Sequence, residues 1–352
     1  MSSLINAAAI ISAAACVACS DAAAPRHPQP REGIRVLSLM TFDGSGQAVH
    51  PDPALTPLTW DGAESQLFAT PYPNGDASKE NPSLYARSSL FDWRVPSGVM
   101  NPVVSPASGY LSDPDELYNP EAGELWLYYR AVGNANQIYV MQGAAPDRWS
   151  SPTLVVSGPN HSVVSPTIVR RGPGDWMMWS VNSGPVGCSS ASTTVEVRRS
   201  SDGINWSSPL TTDLMEDGVF PWHIDVEWIP SKQEFWSLYN VKLPGSCTTA
   251  SLHFARSTDG LHWTVLPGAV LDRGQIPEFA DIVYRSSFIY DDASRVITIW
   301  YSGARFDDNR YTWKIAVERL SESDFFDLLS QAAQGLPAAP PSSPPLTNET
   351  AP

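Results

Sequence analysis

The sequence predicts an all-β fold, a five-bladed β-propeller, from two recurring observations. The first is a tryptophan at near-constant spacing. ARSSLFDWRVP (86–96), GAAPDRWSSP (143–152), RRSSDGINWSSP (198–209) and ARSTDGLHWTVLP (255–267) end alike, and Trp93, Trp149, Trp206 and Trp263 stand 56, 57 and 57 residues apart. The second is an aromatic strand ahead of each such segment or its equivalent: LWLYYRA, WMMWSVN, FWSLYNV and ITIWYSG. Three or four short strands per unit of about 57 residues is the signature of a propeller blade.

The units open near Asp52, Asp113, Ser165, Asp225 and Asp281, which makes five. The last lacks an outermost strand before the helix-like LSESDFFDLLSQAAQ (320–334), and the early strand IRVLSLMTF (34–42) supplies it. Closure of this kind leaves no sheet edge open. Asp-Gly at 202–203 and 259–260 sits between two β-type runs and predicts hairpin turns with positive φ at Gly203 and Gly260. The turn resembles a shortened Asp box of the sialidase type. Such boxes lie on the outer hairpin, so it is read as structural.

Composition agrees with this class: 32 Pro, 23 Gly, 13 Trp and 12 Tyr separate short apolar runs with turn residues. A net charge of −15, without a Lys/Arg cluster, argues against a nucleic-acid partner. The start, MSSLINAAAIISAAACVACSDAAAP, reads as a secretory signal over 1–19 followed by a linker over 20–33. Cys19 follows small residues and resembles the bacterial lipoprotein cleavage site, which makes it the candidate for a lipid anchor to a membrane. No Lys or Arg precedes Arg26, and Cys16 stands where that site carries Leu. The expected location is therefore exported: periplasmic, an outer-membrane lipoprotein, or secreted. The propeller is expected over 34–320, a helix over 321–334 and a disordered Pro/Ser-rich tail over 335–352. The chain is expected to be a monomer. Cys188 and Cys247 fall in equivalent loops of neighbouring units, and in an exported protein they invite a disulfide.

Aligned at their starts, the units put HPDP (50–53), LSDP (111–114), VVSP (163–166), HIDV (223–226) and FADI (279–282) in one register. The innermost strand of a blade lines the central channel, and side chains two apart share a face. This register predicts that Asp52, Asp113, Asp225 and Asp281 converge at the axis, with Ser165 as the exception. His50, His223, Asp115 and Glu227, each two residues from a register aspartate, extend the same faces. An Asp-Pro pair alone is a turn signal; four aspartates and two histidines in one register argue for a metal, a proton or a substrate. The reading requires no cofactor. An all-oxygen ring suits Ca²⁺, whereas His50 and His223 lack a second ligand at zinc-motif spacing. Trp222 is a candidate sugar-stacking platform. Trp126, Trp179, Trp236 and Trp300 are expected in the core between blades; Arg130 and Arg305, at the ends of second strands, are within reach of a substrate carboxylate, though lone arginines are more often surface ion-pair residues.

With its five units, its Asp-rich strand starts and its secretory start, the chain resembles the five-bladed β-propeller glycoside hydrolases. These include the arabinanase and β-xylosidase, invertase and levansucrase, and neoagarobiose hydrolase families. HPDP, ATPYPNG (69–75), ENPSLYARS (80–88), NPVV (101–104) and YLSDPD resemble more closely a poorly characterised bacterial and phage-associated branch, over about 34–320. The resemblance implies a carbohydrate substrate, Asp52 as base and Asp113 as the carboxylate that tunes a pKa or holds substrate. No Glu stands in the aspartate register, so Asp225, Glu227 and Glu278 compete for the acid, with Asp281 in the second tier. Hydrolysis of a glycosidic bond needs one neutral and one ionised carboxyl across it. The competing expectation is a propeller that binds glycan or protein around an ion in its pore.

Overall fold

The computed structural model describes residue 31 and residues 33–335, apart from 134. Cys19, the expected signal segment and the expected tail beyond 335 lie outside the described residues. Five antiparallel sheets form the ring. The first blade runs Ala48–Trp60, Ala63–Pro71, Ser83–Ser89 and Asp92–Arg94; the second Tyr110–Asn119, Glu124–Val132, Asn136–Ala145 and Thr153–Gly158. The third runs Val164–Gly172, Asp175–Asn182, Thr194–Ser200 and Leu210–Thr211; the fourth Phe220–Ile229, Glu234–Lys242, Thr249–Ser257 and Thr264–Asp272. The fifth takes Ile282–Asp291, Val296–Asp307 and Arg310–Ser321 from the end of the propeller and Arg35–Val36 from its start. Arg35 pairs with Val317 and Val36 with Ala316, so the early strand closes the ring as expected, though over fewer residues than 34–42.

Contacts between blades explain the repeat. The expected core tryptophans are buried, with Trp179, Trp236 and Trp300 at 0–2% exposure and Trp126 at 6%. Trp126 stacks on Trp176 of the next blade at 5.1 Å, and Trp300 meets Trp93 edge-on at 6.3 Å across the closure. The repeat tryptophans fold back on their own turns: Trp93, Trp149 and Trp206 each donate Nε1–H to the carbonyl three residues earlier. In the fourth blade that carbonyl, on Gly260, accepts from Trp179 of the preceding blade instead, and the Trp263 Nε1 is left without a partner. Gly260 has φ +77°, and a Cβ there would lie 2.6 Å from the Trp179 ring, so glycine is required both by the turn and by the packing.

Among the described residues the one α-helix is Glu322–Ala333. Ser321 caps it by accepting from Asp324 N–H at 3.1 Å. Phe325 and Phe326 pack on Phe254, and Phe326 also meets Trp236. Glu322 joins the helix to two blades, bonding Lys232 at 2.6 Å, Tyr290 at 2.6 Å and Arg295 at 2.8 Å. These contacts, Arg295 foremost, hold its carboxyl down at about 2. A depressed carboxylate stabilises the fold above its unfolded pKa, near 4.3, and that contribution is lost as pH falls through the folded value. Glu322→Gln should therefore be less stable than the parent at pH 7, with the gap closing between about pH 4 and pH 2. Urea unfolding midpoints across that range measure it.

Candidate functional site

Every inner strand carries a bulge near its start. Pairing jumps between Val49 and Asp52, Ser112 and Asp115, Val164 and Thr167, Pro221 and His223, and Tyr284 and Ser287. Past the bulge Asp52, Asp115, Thr167, Asp225 and Ser287 pair with Phe68, Tyr128, Trp179, Leu238 and Trp300, and these five are the equivalent positions. Two residues earlier stand His50, Asp113, Ser165, His223 and Arg285. His50, Asp113 and Ser165 each precede a proline and adopt φ of 51–54°. Non-glycine residues are strained in that region, and strained backbone held in this way is a feature of functional sites. The axis thus has two levels. Asp113 belongs with the histidines, and Asp115, not Asp113, is level with Asp52 and Asp225. This corrects the sequence register by two residues in the second and third blades and by six in the fifth.

The deeper level is a relay of hydrogen bonds from blade to blade. Asp52 Oδ2 accepts from the N–H of Glu116, Asp115 Oδ2 from Ile168 at 2.9 Å, Thr167 Oγ1 from Val226 at 3.2 Å and Asp225 Oδ2 from Phe288 at 3.1 Å. Each acceptor meets the residue one beyond the equivalent position of the next blade. The fifth step would meet Pro53, which has no N–H. There the side chain is a serine, and Ser287 donates to the Pro51 carbonyl at 2.6 Å. Arg285, fully buried, crosses from the fifth blade to donate to the Pro114 carbonyl at 2.6 Å. Its Nη2 lies 3.5 Å from Asp52 and 3.7 Å from Asp115. A guanidinium therefore stands at the axis, where the sequence reading looked for a metal, a proton or a substrate. Burial pushes Asp52 up to about 8 and Asp225 to about 6 despite Arg285, and raises Asp115 and Glu227 as well.

The shallower level opens into a cavity of about 630 Å³. His50 Nε2 and His223 Nδ1 converge on Asp113 Oδ1 at 3.4 and 3.2 Å. Arg130 Nη1 holds Asp113 Oδ2 at 2.9 Å, and Ser112 Oγ bonds the same oxygen at 3.0 Å. Glu80 Oε2 lies 3.3 Å from His50 Nδ1. All five charged or titratable groups are at most 6% exposed. Burial would raise Asp113, but the charges of His50 and Arg130 hold it well below the usual carboxylate range. Burial lowers both histidines against the pull of Asp113, and raises Glu80 against His50. The set is thus biased toward two neutral imidazoles, one ionised carboxylate and one carboxyl that resists ionisation. The mutually facing His50 Nε2, Asp113 Oδ1 and His223 Nδ1 have no hydrogen-bond partner, and the three residues offer ligand atoms within 4.8 Å of one another. Two imidazole nitrogens and a carboxylate oxygen, open on one side to a cavity, are a donor set for a divalent cation.

The cavity walls are aromatic. Tyr72, Tyr284 and Tyr311 gather around Trp313 at 4.9–6.0 Å. Trp222 lines the cavity and meets His223 edge-on at 5.5 Å. Cys188 and Cys247 are joined in a disulfide that lies in the wall and ties loops of the third and fourth blades together. Asp281 does not converge on the axis. It is half-buried and accepts from the Phe306 N–H at 2.6 Å, and Glu278 lies in the short turn Pro277–Phe279, away from the cavity lining. Glu227 lines the deeper level rather than the cavity. Arg130, expected at the surface, is buried on Asp113, whereas Arg305 is exposed and paired with Asp307. Glu80, Tyr284, Arg285 and His161 were missed. The first stands in ENPSLYARS, whose resemblance marked the segment without marking the residue.

The fold and this site define a five-bladed β-propeller with the architecture of the glycoside hydrolases that bear it. No family model matches the sequence. The chain is similar to the A type blood N-acetyl-α-D-galactosamine deacetylase of Flavonifractor plautii, 28% identical over 314 residues, covering 75% of this chain and 41% of that protein. It therefore spans about two-fifths of that relative's length. A solved structure of an N-acetylgalactosamine deacetylase from F. plautii, in complex with blood group B trisaccharide, superposes with a TM-score of 0.75 at 23% identity, over 86% of this chain and 96% of that one. Xylan β-1,4-xylosidase from Bacillus halodurans gives 0.58 at 15% identity, over 82% and 55%. The expected likeness in architecture to the β-xylosidase propellers is borne out.

The deeper relay makes its own prediction. Thr167→Val removes the acceptor of the buried Val226 N–H and should cost about 1–3 kcal/mol of stability, a penalty for an unmet donor. Denaturant unfolding of the two proteins measures it.

Proposed function

We propose that the chain hydrolyses the N-acyl group of an acylated amino sugar within a glycan, with His50, Asp113 and His223 as its centre and Glu80 beside them. The observation that carries this is the division of the axis. Of the polar side chains gathered there, the His–Asp–His set and Glu80 face the cavity, while Asp52, Asp115 and Asp225 are sealed in the relay below. The likeness to an N-acetylgalactosamine deacetylase supports the same reading.

The donor set fits a divalent cation, which when bound would polarise an acyl carbonyl and favour ionisation of water. Asp113 would hold it through the oxygen left free by Arg130, and His50 and His223 through the nitrogens that face Asp113. Thr70 Oγ1, 3.1 Å from the other nitrogen of His50, fixes that ring's orientation from behind, with the Glu80 carboxyl beside it. Hydrolysis breaks the C–N bond, places the water oxygen on the acyl carbon and delivers a proton to the sugar nitrogen. Glu80 lines the cavity and retains its proton to higher pH than an exposed glutamate, so it is the group placed to give that proton. The aromatic wall around Trp313 offers ring faces for the apolar side of a sugar. An exported location, lipid attachment at Cys19 and a monomeric state belong to the proposal and rest on the sequence alone.

A second reading, glycosidase action, is favoured by one observation. Glu80 and Asp113 are two carboxyls in one cavity whose environments push them in opposite directions, the pattern a glycosidic acid and its ionised partner require. The product separates the two. With oligosaccharides that carry N-acetylgalactosamine, the first reading predicts free acetate and an intact chain, and His223→Ala should lower kcat/KM by at least about 100-fold. Reducing sugar released without acetate would replace it with the second.

A further inference from the structure

On the reading of the cavity as a glycan site, we infer that His161 is its specificity-determining residue, meeting hydroxyls of the bound pyranose with the edge of its imidazole. His161 stands in the turn between Gly158, which ends the second blade, and Val164, which opens the third. It is half-buried and lines the cavity. Unlike His50 and His223, which are turned to Asp113, its ring has no hydrogen-bond or ion-pair partner among the described residues. In a ring of five, the junction of the second and third blades lies across the axis from the fifth. The fifth blade carries Tyr284, Tyr311 and Trp313 of the aromatic wall. A sugar resting its apolar face on that wall therefore turns its other side to His161.

The surroundings of His161 hold it in place without using its nitrogens. Its φ is +60°, a conformation that costs a histidine energy and persists only where neighbours impose it. Its carbonyl accepts from Ser183 twice, from N–H at 2.9 Å and from Oγ at 3.1 Å. A Cβ on Gly187 would lie 3.1 Å from Cγ, Cδ2 and Cε1 of the ring alike, so that glycine sits over the face of the imidazole. The loop from Ser183 to Ser190 is in turn fixed to the fourth blade. Lys242 Nζ and the Gly245 N–H donate to the Ser190 carbonyl at 2.7 and 3.1 Å, and Cys188 is joined to Cys247. Packing thus occupies the ring face and leaves both nitrogens, at its edge, to the cavity. Burial and, after it, the charge of Arg130 lower the imidazole, which is therefore neutral near pH 7. A neutral imidazole offers one donor and one acceptor, the complement of a pair of neighbouring hydroxyls.

The test measures Kd by calorimetry for oligosaccharides that end in N-acetylgalactosamine, N-acetylglucosamine, galactose or glucose. His161→Phe keeps a ring over Gly187 and removes both nitrogens. It should bind the sugar that the parent prefers at least about tenfold more weakly, the loss of one or two hydrogen bonds, and should discriminate less among the four. His161→Asn tolerates the left-handed backbone and keeps a donor and an acceptor, so it should recover part of that loss. Should His161→Phe not fold, His161→Ala takes its place. Equal Kd for the parent and the folded variant would overturn the inference, as would equal weakening by His161→Phe and His161→Asn, or no binding of any of the four sugars by the folded parent. A parent that binds one of them through His161 and releases no acetate would leave the inference standing and count against the proposed deacylation alone.

Discussion

Asp52 accepts a hydrogen bond from the backbone of the next blade, and the same bond, repeated around the axis, sets the position of everything above it. Each inner strand is held at one residue past its bulge by a side chain from its neighbour. The pattern tolerates Asp or Thr as acceptor, and it changes to a serine donor at the one step where proline removes the N–H. Because the relay fixes the strands just below the bulges, the two residues that precede it in each blade are pinned as well. His50, Asp113 and Ser165 are then carried in a left-handed conformation that an unconstrained strand would relax. The geometry of the His–Asp–His set is a consequence of ring closure in this sense: the cavity rests on a buried course of polar bonds.

That division gives the acids of the axis different duties. In the lower level carboxylates act as acceptors for backbone donors, and Arg285 offsets part of their charge. In the upper level Asp113 is paired with Arg130 through one oxygen and faces the two imidazoles with the other. Arg285 lies between the levels and bonds the carbonyl of Pro114, the residue that separates Asp113 from Asp115. Two carboxylates two residues apart on one strand thus face the same axis in different surroundings.

The propeller was legible because its causes are local and repeated. A tryptophan folding back on its own turn recurs in three blades and an aromatic second strand packed on the next blade in four, and both leave a mark in the sequence. The site was legible in membership but not in level. His50, Asp113, Asp115, His223 and Asp225 could all be named, yet matching Asp-Pro to Asp-Pro paired Asp52 with Asp113. The structure shows that the residue before the bulged proline is the constant feature, so His50-Pro51 matches Asp113-Pro114 and Ser165-Pro166. Counting back from the hairpin to the second strand separates Asp115 from Asp113 and puts Arg285 rather than Asp281 in the ring, but the longer, twice-shifted inner strand of the first blade defeats the same count at His50. Glu80 and Arg130 were beyond such counting. They reach the centre from a loop and from a second strand, and only the assembled ring brings them to Asp113.

The claim that the two levels do different work is tested most directly on the pair Asp113 and Asp115. The measurement is kcat/KM per folded molecule for Asp113→Asn and Asp115→Asn, with acetate release as the assay. The account predicts a loss of at least about 100-fold for Asp113→Asn and a value within about tenfold of the parent for Asp115→Asn, whose cost should appear in stability instead. Abolished turnover in folded Asp115→Asn, with Asp113→Asn still active, would contradict it.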